Sequence, residues 1–172
     1  QLDFNPIEKY GGVGGNISAK DDYLVVMQHP VTSEYHAARE NILKTLQAID
    51  GLNIPTFWFW PNVDAGADGT SNGIRSYREI NKPKNIHFFK NMEPFDFLKL
   101  LINSKCLIGN SSVGIRECSF LGVPVVNIGT RQNCRLRGEN VIDIDYNEDE
   151  IKKVNETNKK QAKAINDDLL LK

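Results

Sequence analysis

Apolar and polar positions fall along this chain in blocks, each long enough for one element. Residues 23–27 form a continuous apolar run, the pattern of a strand buried on both faces. The run stops at Gln28-His29-Pro30-Val31-Thr32, where Pro30 forces His29 out of helical geometry. A helical period then runs through Ala38, Ile42, Leu46 and Ile49 to Gly51, with Thr32 or Ser33 as its cap and Glu34 in its first turn. The aromatic block 55–60 reads as a second strand, ending in the polar loop 61–69. Residues 71–81 read as a helix. Residues 86–89 read as a third strand, with His87 a half-buried packing residue. A strongly apolar helix covers 95–102, with Pro94 suited to its first position. Residues 105–108, 123–128 and 141–144 supply three more strands. A polar terminal helix starts at Asn147 or Asp149, with Ile151, Val154, Ala162 and Ile165 on one stripe.

Strand and helix alternate with short connections, which predicts an α/β fold: a three-layer, Rossmann-like parallel sheet with helices on both faces. Residues 1–21 stand apart. The glycine-rich run 11–15 invites a cofactor-loop reading, but such a loop follows a strand and opens a helix, and this one precedes the first strand. The segment reads as an irregular, flexible connector, leaving 22–172 as one domain.

Composition narrows the class. A net charge of -1 carries no strong field for nucleic acid or a membrane surface. No apolar run reaches the length of a transmembrane helix, and the first residues lack a basic-plus-apolar leader pattern. Three widely spaced cysteines, Cys106, Cys118 and Cys134, fit neither a disulfide framework nor a zinc site. A reduced, cytoplasmic protein is expected.

Candidate chemistry collects after the strands. The stretch Leu107-Ile108-Gly109-Asn110-Ser111-Ser112-Val113-Gly114-Ile115-Arg116-Glu117 runs from strand through a tight polar turn into a helix read over 112–121. The first N–H groups of a helix lack internal partners and, with the dipole, favour an anion. Ser111 and Ser112 add hydroxyls, and Glu117, one turn in, is placed for a ribose hydroxyl pair. An N-cap serine and a solvated glutamate account for the same spacing equally well. His29, Asn62 and Asp64, Met92 and Glu93, and Thr130 and Arg131 also follow strands. Turn chemistry alone explains Asn62 and Asp64 as readily. In a parallel sheet these strand ends share one edge, so five loops converge on one crevice. Arg131 offers a planar fork for a phosphate, with Arg116 the alternative. No nucleophile–base pair or metal cluster is visible, so neither metal nor cofactor is expected.

Met27-Gln28-His29-Pro30-Val31-Thr32, Pro61-Asn62-Val63-Asp64-Ala65-Gly66, Gly109–Glu117, Gly129-Thr130-Arg131-Gln132 and Gly138-Glu139-Asn140-Val141 occur in that order. Together they resemble the UDP-N-acetylglucosamine 2-epimerase family, most closely its hydrolysing branch in sialic acid synthesis, over about residues 22–155. The resemblance implies one half of a GT-B fold, the C-terminal UDP-binding domain, with a partner N-terminal domain that supplies the acid/base carboxylates. It implies that Ser111 and Ser112 hold the diphosphate, Glu117 the ribose, and that His29, Asn62 and Arg131 line the UDP site. His29 and Arg131 are the implied catalytic residues, and the loop around Met92 approaches uracil. The implied reaction is elimination of UDP from UDP-N-acetylglucosamine, then hydration to N-acetylmannosamine, in a full-length homo-oligomer. A non-hydrolysing epimerase, a GDP-sugar hydrolysing epimerase, a GT-B glycosyltransferase domain and a non-catalytic nucleotide-sugar-binding domain are the alternatives.

Overall fold

The computed structural model describes residues 1–61 and 67–153. The element order is α1 (Pro6–Tyr10), β1 (Val13–Gly14), β2 (Leu24–Met27), a 3-10 segment (Thr32–Ala37), α2 (Ala38–Gly51), β3 (Thr56–Phe59), α3 (Ala67–Asn81), β4 (Ile86–Phe89), α4 (Pro94–Ile102), β5 (Cys106–Gly109), α5 (Ser112–Ile115), α6 (Glu117–Leu121), β6 (Val125–Ile128) and β7 (Val141–Ile144). One seven-stranded sheet runs β1-β4-β3-β2-β5-β6-β7. All pairings are parallel except β1 with β4.

Successive strand residues face opposite sides, and both sides are covered. On one face, Val26, Trp58, Phe88, Ile108 and Val126 pack with Ile42, Leu46 and Ile49 of α2 and Ile74 of α3. On the other, Val25, Phe57, Phe89, Leu107 and Val125 pack with Leu100 and Leu101 of α4 and Cys118 of α6. This double burial is why the strands read as unbroken apolar runs rather than alternating ones.

The strand order locates the working edge. From β2 the chain builds outward through β3 to β4, then returns to the far side of β2 and builds through β5, β6 and β7. The direction reverses between β2 and β5, and open parallel sheets bind ligands at the carboxyl ends of such a reversal. Met27 lies opposite Gly109 there.

Four expectations need correction. Residues 1–21 are not irregular: α1 is capped by Asn5, whose side chain accepts from Ile7 and Glu8 N–H groups, and β1 adds to the sheet edge. The glycines permit that docking. A Cβ on Gly12 would stand 2.4 Å from the Phe88 carbonyl oxygen, and one on Gly15 1.8 Å from that of Lys84. His87 is buried rather than half-buried, and its ring nitrogens lie 2.9 and 2.7 Å from the Gly15 and Gly11 carbonyl oxygens. Tyr10 and Lys9 add a hydrogen bond and an ion pair to Asp96 of α4.

The helix expected from residue 32 is a 3-10 segment before a shorter α2, because Glu34 leaves helical geometry (φ -117°, ψ 26°) and Ala37 offers α2 no side-chain cap. The helix expected over 112–121 is two short helices, α5 and α6, meeting at Arg116 (φ -97°, ψ -78°). Elsewhere Pro94 opens α4, where the Glu93 carboxylate accepts from the Asp96 N–H at 3.1 Å. Asn147 caps the last helical turns, accepting from the Asp149 and Glu150 N–H groups. The described residues hold no helix long and apolar enough to cross a membrane, and none of their three cysteines is in a disulfide.

Candidate functional site

Gly109 starts the site. It takes φ +139°, a region open essentially to glycine, and a Cβ would lie 2.0 Å from the Met27 carbonyl oxygen. With no side chain there, the ends of β2 and β5 close together, and the Asn110 N–H donates to that same carbonyl at 3.1 Å.

Asn110 is fully buried and joins three loops. Its Oδ1 accepts from the His29 N–H at 2.6 Å, and its Nδ2 donates to the His29 carbonyl at 2.8 Å. Its own carbonyl accepts from Arg131 Nη1 at 3.1 Å and Gln132 Nε2 at 2.9 Å. A buried amide with its hydrogen bonds made rigidifies what it joins. The loops after β2, β5 and β6 are therefore held together before any ligand arrives. Arg137 braces the third loop, donating to the Gln132 and Arg135 carbonyls while pairing with Asp143 at 2.7 Å.

Ser111, not Ser112, is the N-cap of α5: its Oγ accepts from the Val113 N–H at 3.3 Å. Ser112 is half-buried at the first helical position. With only four residues in α5, the dipole is weaker than a continuous ten-residue helix would give, so N–H groups, hydroxyls and Arg131 matter more than the helix as a whole. Glu117 opens α6, half-buried, with Oε2 out of solvent and, among the described residues, without a hydrogen-bond partner. Gln132 Oε1 and Glu34 Oε2 are buried and unpartnered in the same way. Buried polar atoms are rarely left so, and a carboxylate least of all.

The structure thus gathers His29, Ser111, Ser112 and Arg131 at the reversal point. Met92 is half-buried in the loop after β4, three strand spacings or roughly 14 Å from the end of β5. A ligand touching both must lie along the sheet edge. Asn62 and Asp64 lie outside the described residues. Arg116 is exposed at the junction of α5 and α6.

Sequence reasoning missed four participants. Asn110 and Gln132 were part of motifs without a role. Glu34 was read as a first-turn helix residue, yet its Oε1 accepts from the Thr130 hydroxyl at 2.6 Å, joining the β2 and β6 loops. Tyr146 carried no signal. Burial, and then the Glu34 charge, push its phenol up to about 12 against the opposing influence of the Asn110 amide and Arg131.

A family model described as UDP-N-acetylglucosamine 2-epimerase matches residues 6–168, from α1 to beyond the end of the motif resemblance. The UDP-N,N'-diacetylbacillosamine 2-epimerase (hydrolyzing) of Legionella pneumophila is 34% identical over 127 residues, 74% of this chain and 33% of that protein. The UDP-N-acetylglucosamine 2-epimerase of Neisseria meningitidis is 34% identical over 128 residues, 73% of this chain and 32% of that protein. The chain spans about a third of the length of these relatives. Among solved structures, the S. aureus MnaA–UDP co-structure aligns with a TM-score of 0.58 at 13% identity, covering 88% of this chain and 38% of that one. The shared architecture is one Rossmann-like half of a GT-B fold.

Proposed function

The chain belongs to the UDP-N-acetylglucosamine 2-epimerase family, and on that premise we propose that it is the C-terminal, UDP-binding domain of a hydrolysing epimerase. The diphosphate of UDP-N-acetylglucosamine sits in front of α5, on the Ser111 and Ser112 hydroxyls and the first N–H groups. Arg131 contributes charge from the next loop, and His29 closes the β2 side. Glu117 takes the ribose hydroxyls, Met92 and Asn62 line the nucleoside, and the base lies toward β4. The observation that carries this reading is the Glu117 Oε2, buried without a partner among the described residues, close in the chain to the Ser111-capped start of α5. A ribose hydroxyl supplies the donor that this oxygen lacks among the described residues.

The chemistry follows from where charge develops. Removal of the C2 proton and cleavage of the C1–O bond leave an extra negative charge on the departing diphosphate. Donors fixed in advance stabilise that charge without reorganising, commonly the largest electrostatic contribution in such steps. Water then adds at C1 and a proton returns at C2, releasing N-acetylmannosamine and UDP. His29 and Arg131 act at the leaving group; the carboxylates that move the C2 proton belong to the N-terminal domain of the full-length enzyme. In that enzyme the domains work as partners within a homo-oligomer, in the cytoplasm.

Product analysis of the full-length enzyme tests this. The reading expects free N-acetylmannosamine and UDP from UDP-N-acetylglucosamine, and UDP binding without turnover by the 172-residue chain alone. Return of UDP-N-acetylmannosamine would assign the non-hydrolysing reaction instead. The hydrolysing diacetylbacillosamine epimerases among its relatives make a different sugar nucleotide the second reading. Competition between UDP and GDP, with N,N'-diacetylbacillosamine conjugates as alternative substrates, separates the two.

A further inference from the structure

Tyr146 lies beyond β7, yet its ring reaches the end of β6. It does so because residue 129 is glycine: a Cβ there would stand 2.6 Å from a ring carbon and 2.8 Å from the hydroxyl oxygen. Gly129 takes φ +77°, and its N–H is fixed by the Ile144 carbonyl at 2.9 Å. The hydroxyl is thereby seated against the backbone that leads into Thr130 and Arg131. Asn110, Glu34 and Arg131 are near enough to act on the phenol: the Glu34 charge raises its pKa, and the Asn110 amide and the Arg131 charge lower it. One oxygen of the Glu34 carboxylate accepts from the Thr130 hydroxyl. A phenol seated on Gly129, next to the loop that carries Arg131, offers a neutral O–H donor at the rim of the candidate anion site.

We infer that Tyr146 is a binding residue for the diphosphate, donating its hydroxyl proton to the terminal phosphate. The inference rests on the UDP reading above. Sheet order decides which phosphate: Met92 lies toward the β4 end of the edge and Tyr146 toward the β7 end, with β5 between them. A nucleotide with its base toward β4 presents its last phosphate to Tyr146. The Thr130 hydroxyl engages one oxygen of the nearby Glu34 carboxylate, and the phenol and Arg131 are the donors offered to the phosphate.

The test is calorimetric titration of the 172-residue chain with UDP and with UMP, in the native sequence, Tyr146→Phe and Gly129→Ala. The native chain should prefer UDP. Tyr146→Phe keeps the ring on Gly129 and removes only the proton donor. It should lose roughly tenfold in UDP affinity, as for one hydrogen bond to a charged group, with UMP little changed. Gly129→Ala displaces the ring and should narrow the preference in the same direction. An unchanged UDP-over-UMP ratio in Tyr146→Phe, or equal losses for both nucleotides, would make the tyrosine a packing residue and overturn the inference while leaving the UDP site standing. A native chain that binds neither nucleotide would overturn the UDP site itself, and this inference with it.

Discussion

Two glycine-rich corners of this chain, residues 11–15 and residues 109–114, use glycine for the same steric purpose and end with opposite polar accounts. In each, a backbone passes so close to another that a Cβ would collide: Gly15 against Lys84, Gly109 against Met27. At the first corner, the polar groups meet one another. His87 faces two carbonyls, and Asp96 takes Lys9 and Tyr10. At the second, the scaffold is satisfied through Asn110, but Glu117 and Gln132 keep buried oxygens without partners among the described residues. Glycine therefore marks close approach, not function. What separates the first corner, a strap along the sheet edge, from the second, the candidate binding corner, is whether the polar atoms are matched among the described residues.

Substitutions at the two corners should separate along this line. The largest effect is expected for Gly109→Ala, which forces a Cβ into the Met27 carbonyl at φ +139°. It should cost about 2–4 kcal/mol in denaturant unfolding and abolish UDP binding in the same preparation. Gly15→Ala should destabilise the β1 edge and leave UDP affinity of the folded chain unchanged; a loss of binding there would erase the contrast. Glu117→Gln should lower UDP affinity about tenfold with no loss of stability, since it replaces a carboxylate whose Oε2 has no partner among the described residues. A stability loss above about 1 kcal/mol would mean that the carboxylate serves the fold.

His87→Phe keeps the bulk and removes the contacts to Gly11 and Gly15, so it should cost about 1–2 kcal/mol. It should also raise hydrogen exchange over residues 11–15 while UDP titrations stay as in the native chain. The smallest effect is acid sensitivity at the strap. The Lys9 ion pair, then the Tyr10 hydrogen bond, hold the Asp96 carboxyl below the usual carboxylate range. A depressed folded-state pKa means that this contribution is complete above the unfolded value, near 4, and is lost as pH falls through the folded one. Unfolding curves between pH 5 and about 2 should therefore show less acid destabilisation in Asp96→Asn than in the native chain.

The central sheet was legible because each strand is buried on both sides and so reads as an apolar run. The chain punctuates these runs with polar strand ends, which also exposed His29, Ser111, Ser112 and Arg131 as neighbours. The strap was not legible. Its strand is two residues long, and its reason for docking lies in carbonyls of β4 and a histidine 72 residues away, which no local period reports. The break at Arg116 was missed because the apolar spacing runs through it unaltered. Glu34 and Tyr146 were missed for a further reason: each reaches the site across strands, through Thr130 in one case and over the bare Gly129 in the other.

Chemical-shift titration of the 172-residue chain with UDP tests the central claim most directly. Binding should move the amides of residues 109–117 and 129–132, leave those of residues 11–15 in place, and weaken in Ser112→Ala. Absence of shifts at millimolar UDP, or shifts centred on residues 11–15 and indifferent to Ser112→Ala, would contradict it.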